Sequence, residues 1–259
     1  MPFAKLLDVD LYYEWSGAEN LPVMVLSNGL GTNLQMWDSQ VDAFSRHFRL
    51  LRFDARGHGR SSLTPGPYTI EQLSWDLVHL LDELKVDRVY FCGVSMGGLI
   101  GMFLGTNVAK RFQKLALAST AAKIGTAETW TTRIQTVRND GMKAVADAVL
   151  GRWFTADFST KNSAEVQRVR SMLEATSPDG YIASCTAVRD SDQRDSVSNI
   201  RLPSLIIVGA EDPGTPPMEA RFLQKTIPGA QLVELAGSHL CNIESHREFN
   251  QHVLKFLLA

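Results

Sequence analysis

One stretch of this sequence has the pattern of a strand, a sharp turn and a helix, with a serine at the apex of the turn. Residues 89–94 suit a buried strand, and residues 99–104 have the apolar composition of a buried helix. Between them, Gly93 and Gly97 flank Ser95 in a Gly-x-Ser-x-Gly pattern. Because glycine has no Cβ, the chain can bend hard there and a substrate can approach the backbone. The stretch predicts an elbow that presents Ser95 as a nucleophile.

The glycines of the following helix predict how that helix packs. Gly97, Gly101 and Gly105 recur at every fourth residue, so they share one face of the helix. We expect this face to lie close against a sheet.

Strand-like and helix-like segments alternate on both sides of the elbow. A short hairpin is expected within residues 4–15, and the runs typical of further strands are 23–27, 48–53, 114–119, 205–209 and 231–236. Strands that alternate with helices in this way form a mostly parallel sheet covered on both faces. The fold class is therefore α/β.

The strand pattern is absent from residues 121–200. Apolar residues recur there at helical spacing instead, as in 142–150 and 166–173. We therefore expect an α/β core made of residues 1–120 and 201–259, with residues 121–200 forming a helical cap over the sheet.

A serine nucleophile needs a base, and an acid that orients the base. The loop after the strand at 205–209 contains Glu211 and Asp212 in a turn rich in proline. We favour Asp212, because a short carboxylate on this turn is the usual partner of the histidine. The loop after the strand at 114–119 contains no acid, which removes the other position where such a fold sometimes has one.

The base is expected after the last strand. His239 follows that strand on a glycine-containing loop, whereas His252 lies within the final helix. Ser245 and Glu248 have the spacing of a capping box for that helix, which would leave His246 solvated. His239 is therefore the predicted base.

The chain order of the three residues is informative. Ser95, Asp212 and His239 follow one another in the order of the α/β-hydrolase fold, which differs from the order in the two large families of serine proteases. In that fold the oxyanion is held by the N–H after the nucleophile and by one from the loop after an early strand. Here these are the N–H groups of Met96 and Leu30.

The remaining histidine and cysteine residues do not have the spacing of a metal or cofactor site. His58, within residues 56–60, has no partner at metal-ligand spacing, and we expect it to serve a structural turn. Cys92, Cys185 and Cys241 have no Cys-x-x-Cys spacing and suit small buried positions. No phosphate loop or dinucleotide motif is present, so we expect no metal and no cofactor.

Composition limits the partners. The chain has 259 residues and a formal net charge of −2, which argues against a nucleic acid or an anionic membrane surface as partner. The amino terminus lacks the apolar run of a signal peptide, so we expect a cytoplasmic protein. The oligomeric state is left open, and a homo-oligomer is possible.

The cap region combines arginine with tryptophan. A guanidinium pairs with carboxylate and an indole ring covers an apolar face, so together they suit a planar anionic substrate. The alternative is that the tryptophans only pack the cap on the sheet and that most of the arginines are solvated. The residues concerned are Trp130, Arg133, Arg138, Arg152, Trp153 and Arg189.

The sequence resembles the 3-oxoadipate enol-lactonases over nearly its full length. The segments that carry the resemblance are Ser27-Asn-Gly-Leu-Gly-Thr, Gly93-Val-Ser-Met-Gly-Gly-Leu-Ile-Gly, Thr120-Ala-Ala-Lys-Ile-Gly, Arg152-Trp-Phe, Ser177-Pro-Asp-Gly-Tyr and Cys185-Thr-Ala-Val-Arg-Asp-Ser-Asp. The resemblance implies hydrolysis of the enol-lactone of 3-oxoadipate to 3-oxoadipate, a substrate with a free carboxylate. Of the cap arginines we expect Arg133, with Trp130 and Trp153 near it, to hold that carboxylate. Asn28 stands where many members of the superfamily have histidine. Alternatives are another capped carboxylesterase, a carbon–carbon bond hydrolase or, less favoured, a non-catalytic ligand-binding protein.

Overall fold

The computed structural model describes residues 3–259, which contain one eight-stranded sheet. Its strands are β1 (Phe3–Lys5), β2 (Asp10–Ser16), β3 (Val23–Ser27), β4 (Arg49–Phe53), β5 (Val89–Val94), β6 (Phe112–Ala118), β7 (Ser204–Gly209) and β8 (Gln231–Leu235). Their spatial order is β1-β2-β4-β3-β5-β6-β7-β8. Strand β2 pairs antiparallel with both β1 and β4, and all the other neighbouring pairs are parallel. This topology confirms the predicted mostly parallel sheet and the hairpin at its edge.

Helices surround the sheet and also form a separate group between β6 and β7. The first set is α1 (Asp38–Phe44), α2 (Ile70–Glu83), α3 (Met96–Asn107), α9 (Pro217–Thr226), α10 (Cys241–Glu244) and α11 (His246–Leu258). The second is α4 (Ala127–Asp140), α5 (Lys143–Trp153), α6 (Ala156–Lys161), α7 (Ser163–Glu174) and α8 (Pro178–Asp190). The exact division into core and cap stays a prediction.

The central strands are buried on both faces. Every residue of β7 is buried, and Val25 in β3 and Phe91 in β5 have no exposed surface. Burying each such large apolar side chain stabilises the fold by about 1.5–3 kcal/mol. The continuous apolar runs in the sequence therefore reflect a sheet that helices cover on both sides.

Helix α3 packs closely on the sheet through its glycines, as the sequence predicted. A Cβ at Gly97 would lie 2.2 Å from the carbonyl oxygen of Ser27, and one at Gly101 would lie 2.5 Å from the ring of Phe91. A Cβ at Gly105 would lie 2.7 Å from a methyl carbon of Leu115. Only glycine allows α3 to approach β3, β5 and β6 this closely.

The predicted capping box of the final helix is wrong. Ser245 makes no side-chain cap; its hydroxyl donates to the carbonyl oxygen of Ala236 at 2.7 Å. Helix α10 ends at Glu244, directly before Ser245, which then has φ −116° and ψ 45°. Because the chain enters α11 from another helix, Ser245 is not in the extended conformation that a capping serine uses.

Among residues 3–259, no helix combines the length and apolar composition needed to cross a bilayer.

Candidate active site

Ser95 lies at the turn between β5 and α3 in a strained backbone conformation. Its φ is +56° and its ψ is −112°, a region that residues with a side chain rarely adopt. The turn is held by the Ser95 N–H, which donates to Ala118 at 2.9 Å, and by the Thr120 hydroxyl, which donates to the Ser95 carbonyl at 2.9 Å. A Cβ at Gly93 would lie 2.3 Å from the carbonyl oxygen of Gly97. The sequence pattern thus folds into the sharp elbow that it predicted.

Asp212 and His239 lie side by side on the loops after β7 and β8. The Nδ1 atom of His239 is 2.7 Å from Oδ2 of Asp212, and both residues are buried. Oδ1 of the carboxylate accepts the N–H groups of Gly214 and Thr215, at 2.8 and 3.0 Å. The Thr215 hydroxyl donates to Oδ2 at 2.7 Å. With its oxygens so occupied, Asp212 is fixed as an acceptor for an Nδ1–H of His239, which leaves Nε2 free to act as a base.

The charge of Asp212 is stabilised although the carboxylate is buried. Burial opposes ionisation, but the charge of His239 and the hydrogen bonds from His239 and Thr215 outweigh it, so the pKa of Asp212 lies below its ordinary value. Asp212 is therefore an anion at neutral pH, as an acid that orients a histidine must be.

The two N–H groups proposed for an oxyanion hole are unoccupied. Within the described chain, neither the N–H of Leu30 nor that of Met96 donates to a backbone or side-chain acceptor. Leu30 lines the same cavity as Ser95, and Met96 is the first residue of α3. Thr32 donates its hydroxyl to the carbonyl of Gly29 at 2.7 Å, so the trans peptide that follows directs the Leu30 N–H away from Thr32. Neither N–H group therefore has an acceptor within the described chain, as the proposed role of donor to a substrate oxygen requires.

A cavity of about 200 Å³ lies between Ser95 and the cap helices. Ser95, Leu30 and His239 line it from the sheet side, while Asp212 lies behind His239 and Met96 is not part of the wall. The cap contributes Trp130, Arg133, Val149, Arg152, Trp153 and Tyr181. The predicted substrate-binding residues Arg133, Trp130 and Trp153 are thus in the wall of the cavity that Ser95 also lines.

Two arginines that line this cavity, Arg133 and Arg152, have no carboxylate partner within the described residues. Among residues 3–259, neither Arg133 nor Arg152 forms an ion pair. Arg133 lies over the ring of Trp130, with its Cζ 4.6 Å from the ring centroid, and Trp130 is anchored by an indole N–H that donates to Ile124 at 2.6 Å. Burial, with the charge of Arg133 nearby, lowers the pKa of Arg152. A bound anion would relieve the repulsion between the two cations.

Two residues of this wall, Arg152 and Tyr181, are not among the predicted substrate-binding residues. Arg152 was one of several cap arginines, and its position beside Trp153 in the Arg-Trp-Phe segment is the only available signal for it. Tyr181 is buried and lines the cavity although it lies on α8, in the Ser-Pro-Asp-Gly-Tyr segment. No group of three or more His, Cys, Asp or Glu side chains in residues 3–259 is arranged to hold a metal ion.

Comparison with protein families identifies the class to which this fold and site belong. The model of the α/β-hydrolase fold family matches residues 22–245, which include Ser95, Asp212 and His239. The chain therefore belongs to the α/β-hydrolase family, and the predicted fold class is confirmed.

Individual relatives narrow the class further. The chain is 39% identical over 246 residues to 3-oxoadipate enol-lactonase 2 of Acinetobacter baylyi, a match that covers 95% of this chain and 92% of the relative. It is 37% identical to 3-oxoadipate enol-lactonase 1 of the same organism, over 91% of this chain and 88% of the relative. The crystal structure of an enol-lactonase from Burkholderia xenovorans superposes with a TM-score of 0.99 at 44% identity, over all of both chains. These matches confirm the resemblance that the sequence segments indicated.

Proposed function

We propose that this protein hydrolyses the enol-lactone of 3-oxoadipate to 3-oxoadipate, a step in the breakdown of aromatic compounds. It is a carboxylic-ester hydrolase. One observation carries the proposal: a single cavity is lined by Ser95 and His239 from the sheet side and by two arginines without an ion-pair partner, Arg133 and Arg152, from the cap. Such a cavity suits a small lactone that has a free carboxylate, and relatives of this chain are named for that substrate.

In the first half of the reaction Ser95 attacks the lactone carbonyl. His239 takes the hydroxyl proton on Nε2, while Asp212 holds the opposite ring nitrogen and stabilises the imidazolium. The carbonyl oxygen becomes an anion and accepts the N–H groups of Leu30 and Met96. The ring C–O bond then breaks and the leaving oxygen departs as an enolate, which needs little help from a general acid. The protonated His239 gives up the proton that it took from Ser95, directly or through solvent, and protonation of the enolate at carbon yields the ketone, so that His239 is again a neutral base.

In the second half a water molecule replaces the leaving group. His239 takes a proton from the water, the resulting hydroxide attacks the acyl carbon, and the same two N–H groups hold the second oxyanion. Collapse breaks the bond to Ser95 Oγ, which regains its proton from His239. The product carries two carboxylates, whereas the substrate carries one.

The substrate carboxylate is placed by the cap. A guanidinium forms paired hydrogen bonds with a carboxylate, and each hydrogen bond to a charged group is worth about 1.5–3 kcal/mol. Arg133 is held in place by stacking on Trp130, and Arg152 lies in the same wall. Trp153, 8% exposed, gives an apolar surface for the ring of the lactone. We assign the carboxylate to Arg133 together with Arg152.

Turnover of the enol-lactone, generated in the cuvette and followed by its absorbance, tests the proposal directly. The wild-type protein is expected to hydrolyse it, and Ser95→Ala is expected to be inactive while keeping the wild-type unfolding midpoint. Turnover of neutral esters without turnover of the lactone would reject the substrate. Full activity of Ser95→Ala would reject the mechanism.

The arginine assignment has its own test. Arg133→Ala and Arg152→Ala should each raise KM for the lactone by about 10- to 100-fold, the equivalent of one charged hydrogen-bonding contact, and should change KM for a neutral ester little. The matched control is Arg138→Ala, which removes an exposed arginine from the same helix as Arg133 but outside the cavity. Equal effects on the anionic and neutral substrates would contradict carboxylate binding.

We propose that the enzyme acts in the cytoplasm. Cys92, Cys185 and Cys241 are all buried and unpaired, which suits a reducing compartment. The substrate is a small metabolite, and we propose neither a nucleic acid nor a membrane as partner.

A further inference from the structure

His58 is a buried histidine that the reaction above does not use, and it contacts the loop of the oxyanion hole. Its side chain is 1% exposed, and Nε2 accepts the N–H of Gly31 at 3.0 Å. Gly31 follows Leu30, whose N–H is one of the two proposed oxyanion donors. A residue expected to serve only a turn thus reaches across 27 positions of sequence to the catalytic loop.

The contacts of His58 determine which of its nitrogens carries the proton. Nδ1 is 3.1 Å from the carbonyl oxygen of Arg56, which can only accept, so Nδ1 bears hydrogen. Nε2 receives the N–H of Gly31 and must therefore be unprotonated. Burial lowers the pKa of His58, in agreement with a neutral ring.

The two peptide units on either side of Leu30 are held by different partners. The carbonyl of Gly29, in the first unit, accepts the hydroxyl of Thr32 at 2.7 Å. The N–H of Gly31, in the second unit, is the one that His58 accepts. Gly29 and Gly31 are both glycine, so this backbone has few intrinsic restraints against a peptide rotation. Without His58, the second unit would lose this hydrogen bond, and a small movement of that unit would shift Leu30 and with it the direction of the Leu30 N–H.

The loop that carries His58 is itself rigid. The buried guanidinium of Arg56 donates to Asp8 and Asp76, with distances of 2.6–2.8 Å. Asp54 accepts the N–H of Arg60 at 2.8 Å within the loop and the N–H of Leu34 at 2.8 Å beyond it. His58 is therefore a fixed point from which the oxyanion loop can be positioned.

The cap contacts the same glycine from the other side. Gly31 has φ +75°, and a Cβ there would lie 2.6 Å from Leu173 and 2.8 Å from the ring of Tyr181. The hydroxyl of Thr176, just beyond α7, donates to the carbonyl of Met172 at 3.1 Å and lies 3.4 Å from the Gly31 carbonyl. The loop is thus enclosed between His58 and the cap, with little room for any other arrangement.

We propose that His58 is a positioning residue of the oxyanion hole: by accepting the N–H of Gly31, it fixes the peptide unit that follows Leu30, while Thr32 holds the unit that carries the Leu30 N–H, and together they direct that N–H at the reacting oxygen. This inference rests on the proposed reaction of Ser95. It predicts that an acceptor at the position of Nε2 is what matters, rather than the bulk or the charge of the imidazole.

Two substitutions separate these requirements. In His58→Gln the side-chain oxygen can take the place of Nε2, whereas in His58→Asn the side chain reaches only as far as Nδ1. His58→Asn should lower kcat by about 10- to 100-fold with KM changed less than about threefold, because misplacing an oxyanion donor costs rate rather than binding. His58→Gln should recover most of the rate. His47→Asn, which changes an exposed histidine, is the matched control and should behave as wild type.

A second readout does not depend on the substrate. When a fluorophosphonate reacts, Ser95 Oγ forms a bond to phosphorus, fluoride leaves, and the phosphoryl oxygen develops charge at the oxyanion site. The labelling rate per folded molecule should fall in His58→Asn and recover in His58→Gln, with unfolding midpoints measured alongside. Equal rates in both variants, or wild-type rates in His58→Asn, would overturn the inference. A wild-type protein that is labelled but does not hydrolyse the lactone would instead overturn the proposed substrate.

Discussion

Replacing Asp212 by asparagine changes one atom and tests the whole hydrogen-bonded arrangement of the proposed base. Oδ1 accepts two backbone N–H groups, from Gly214 and Thr215, so the amide oxygen of the new side chain must take that place. The amide NH2 then replaces Oδ2, where the Thr215 hydroxyl and His239 Nδ1 are both 2.7 Å away. The hydroxyl can rotate to accept, but an Nδ1–H of histidine cannot.

The size of the effect follows from this conflict. His239 can face the new amide only if its proton moves from Nδ1 to Nε2, and an imidazole protonated on Nε2 cannot take the proton of Ser95. We expect kcat to fall by about 10⁴-fold, which corresponds to about 5.4 kcal/mol of lost transition-state stabilisation. The fold should persist, because a neutral amide costs less to bury than the carboxylate it replaces.

The assay is steady-state turnover of the lactone, normalised to correctly folded protein by the unfolding midpoint. Glu211→Gln is the matched control, since it removes the neighbouring acid, whose side chain is exposed. That variant should keep wild-type kcat within about twofold. A loss of less than tenfold in Asp212→Asn, or a larger loss in Glu211→Gln, would refute the assignment of Asp212.

Three further predictions concern stability and the cap. Gly101→Ala places a methyl 2.5 Å from the Phe91 ring and should lower the free energy of unfolding by up to about 2 kcal/mol. Gly151→Ala meets no atom within 4 Å and, because alanine favours a helix over glycine, should raise the free energy of unfolding by up to about 1 kcal/mol. Thermal melts of the two variants measure the difference. Because burial lowers the pKa of His58, the unfolded chain binds a proton that the native chain does not, so denaturant midpoints should fall as pH drops below about 6.5, and less so in His58→Gln. Glu244 accepts the N–H of Ser238, next to His239, and the hydroxyl of Thr155 in the cap. Glu244→Gln weakens these hydrogen bonds and should reduce lactone turnover by about threefold to tenfold and neutral-ester turnover less.

The parts of the fold and site that the sequence predicts correctly depend on local patterns. The elbow at Ser95 needs only two glycines between an apolar strand and an apolar helix, and the loops of Asp212 and His239 each follow a recognisable strand. In a parallel sheet the carboxyl ends of the strands meet at one edge, so chain order alone brings these loops together. The fold class is confirmed on this basis, while the catalytic roles of the three residues stay predictions.

What the sequence does not reveal depends on contacts between distant segments. The hydrogen bond between His58 and Gly31 joins two loops that lie 27 positions apart in the sequence. No motif in either loop predicts this contact, which forms only when the chain has folded. Ser245 illustrates the opposite error: its spacing to Glu248 predicts a cap, but the preceding helix α10 changes its backbone conformation. Local spacing therefore predicts local hydrogen bonds only where the flanking chain permits them.

The cap and the loop that carries His239 are joined by hydrogen bonds, which would link the proposed carboxylate site to the position of the proposed base. The Ser238 hydroxyl donates to the carbonyl of Arg152 at 2.7 Å, and the N–H of Leu240 donates to the carbonyl of Trp153 at 3.0 Å. Glu244 accepts the N–H of Ser238 at 2.9 Å and the hydroxyl of Thr155. Because the residues on both sides of His239 are hydrogen-bonded to the end of α5, the backbone that carries Arg152 lies at a fixed distance from His239. If Arg152 holds the substrate carboxylate, as we propose, this limits how far that carboxylate would lie from the proposed base. An anionic lactone would then be oriented by its carboxylate, whereas a neutral ester would lack this contact, so we expect changes in the cap to affect the lactone more than the ester.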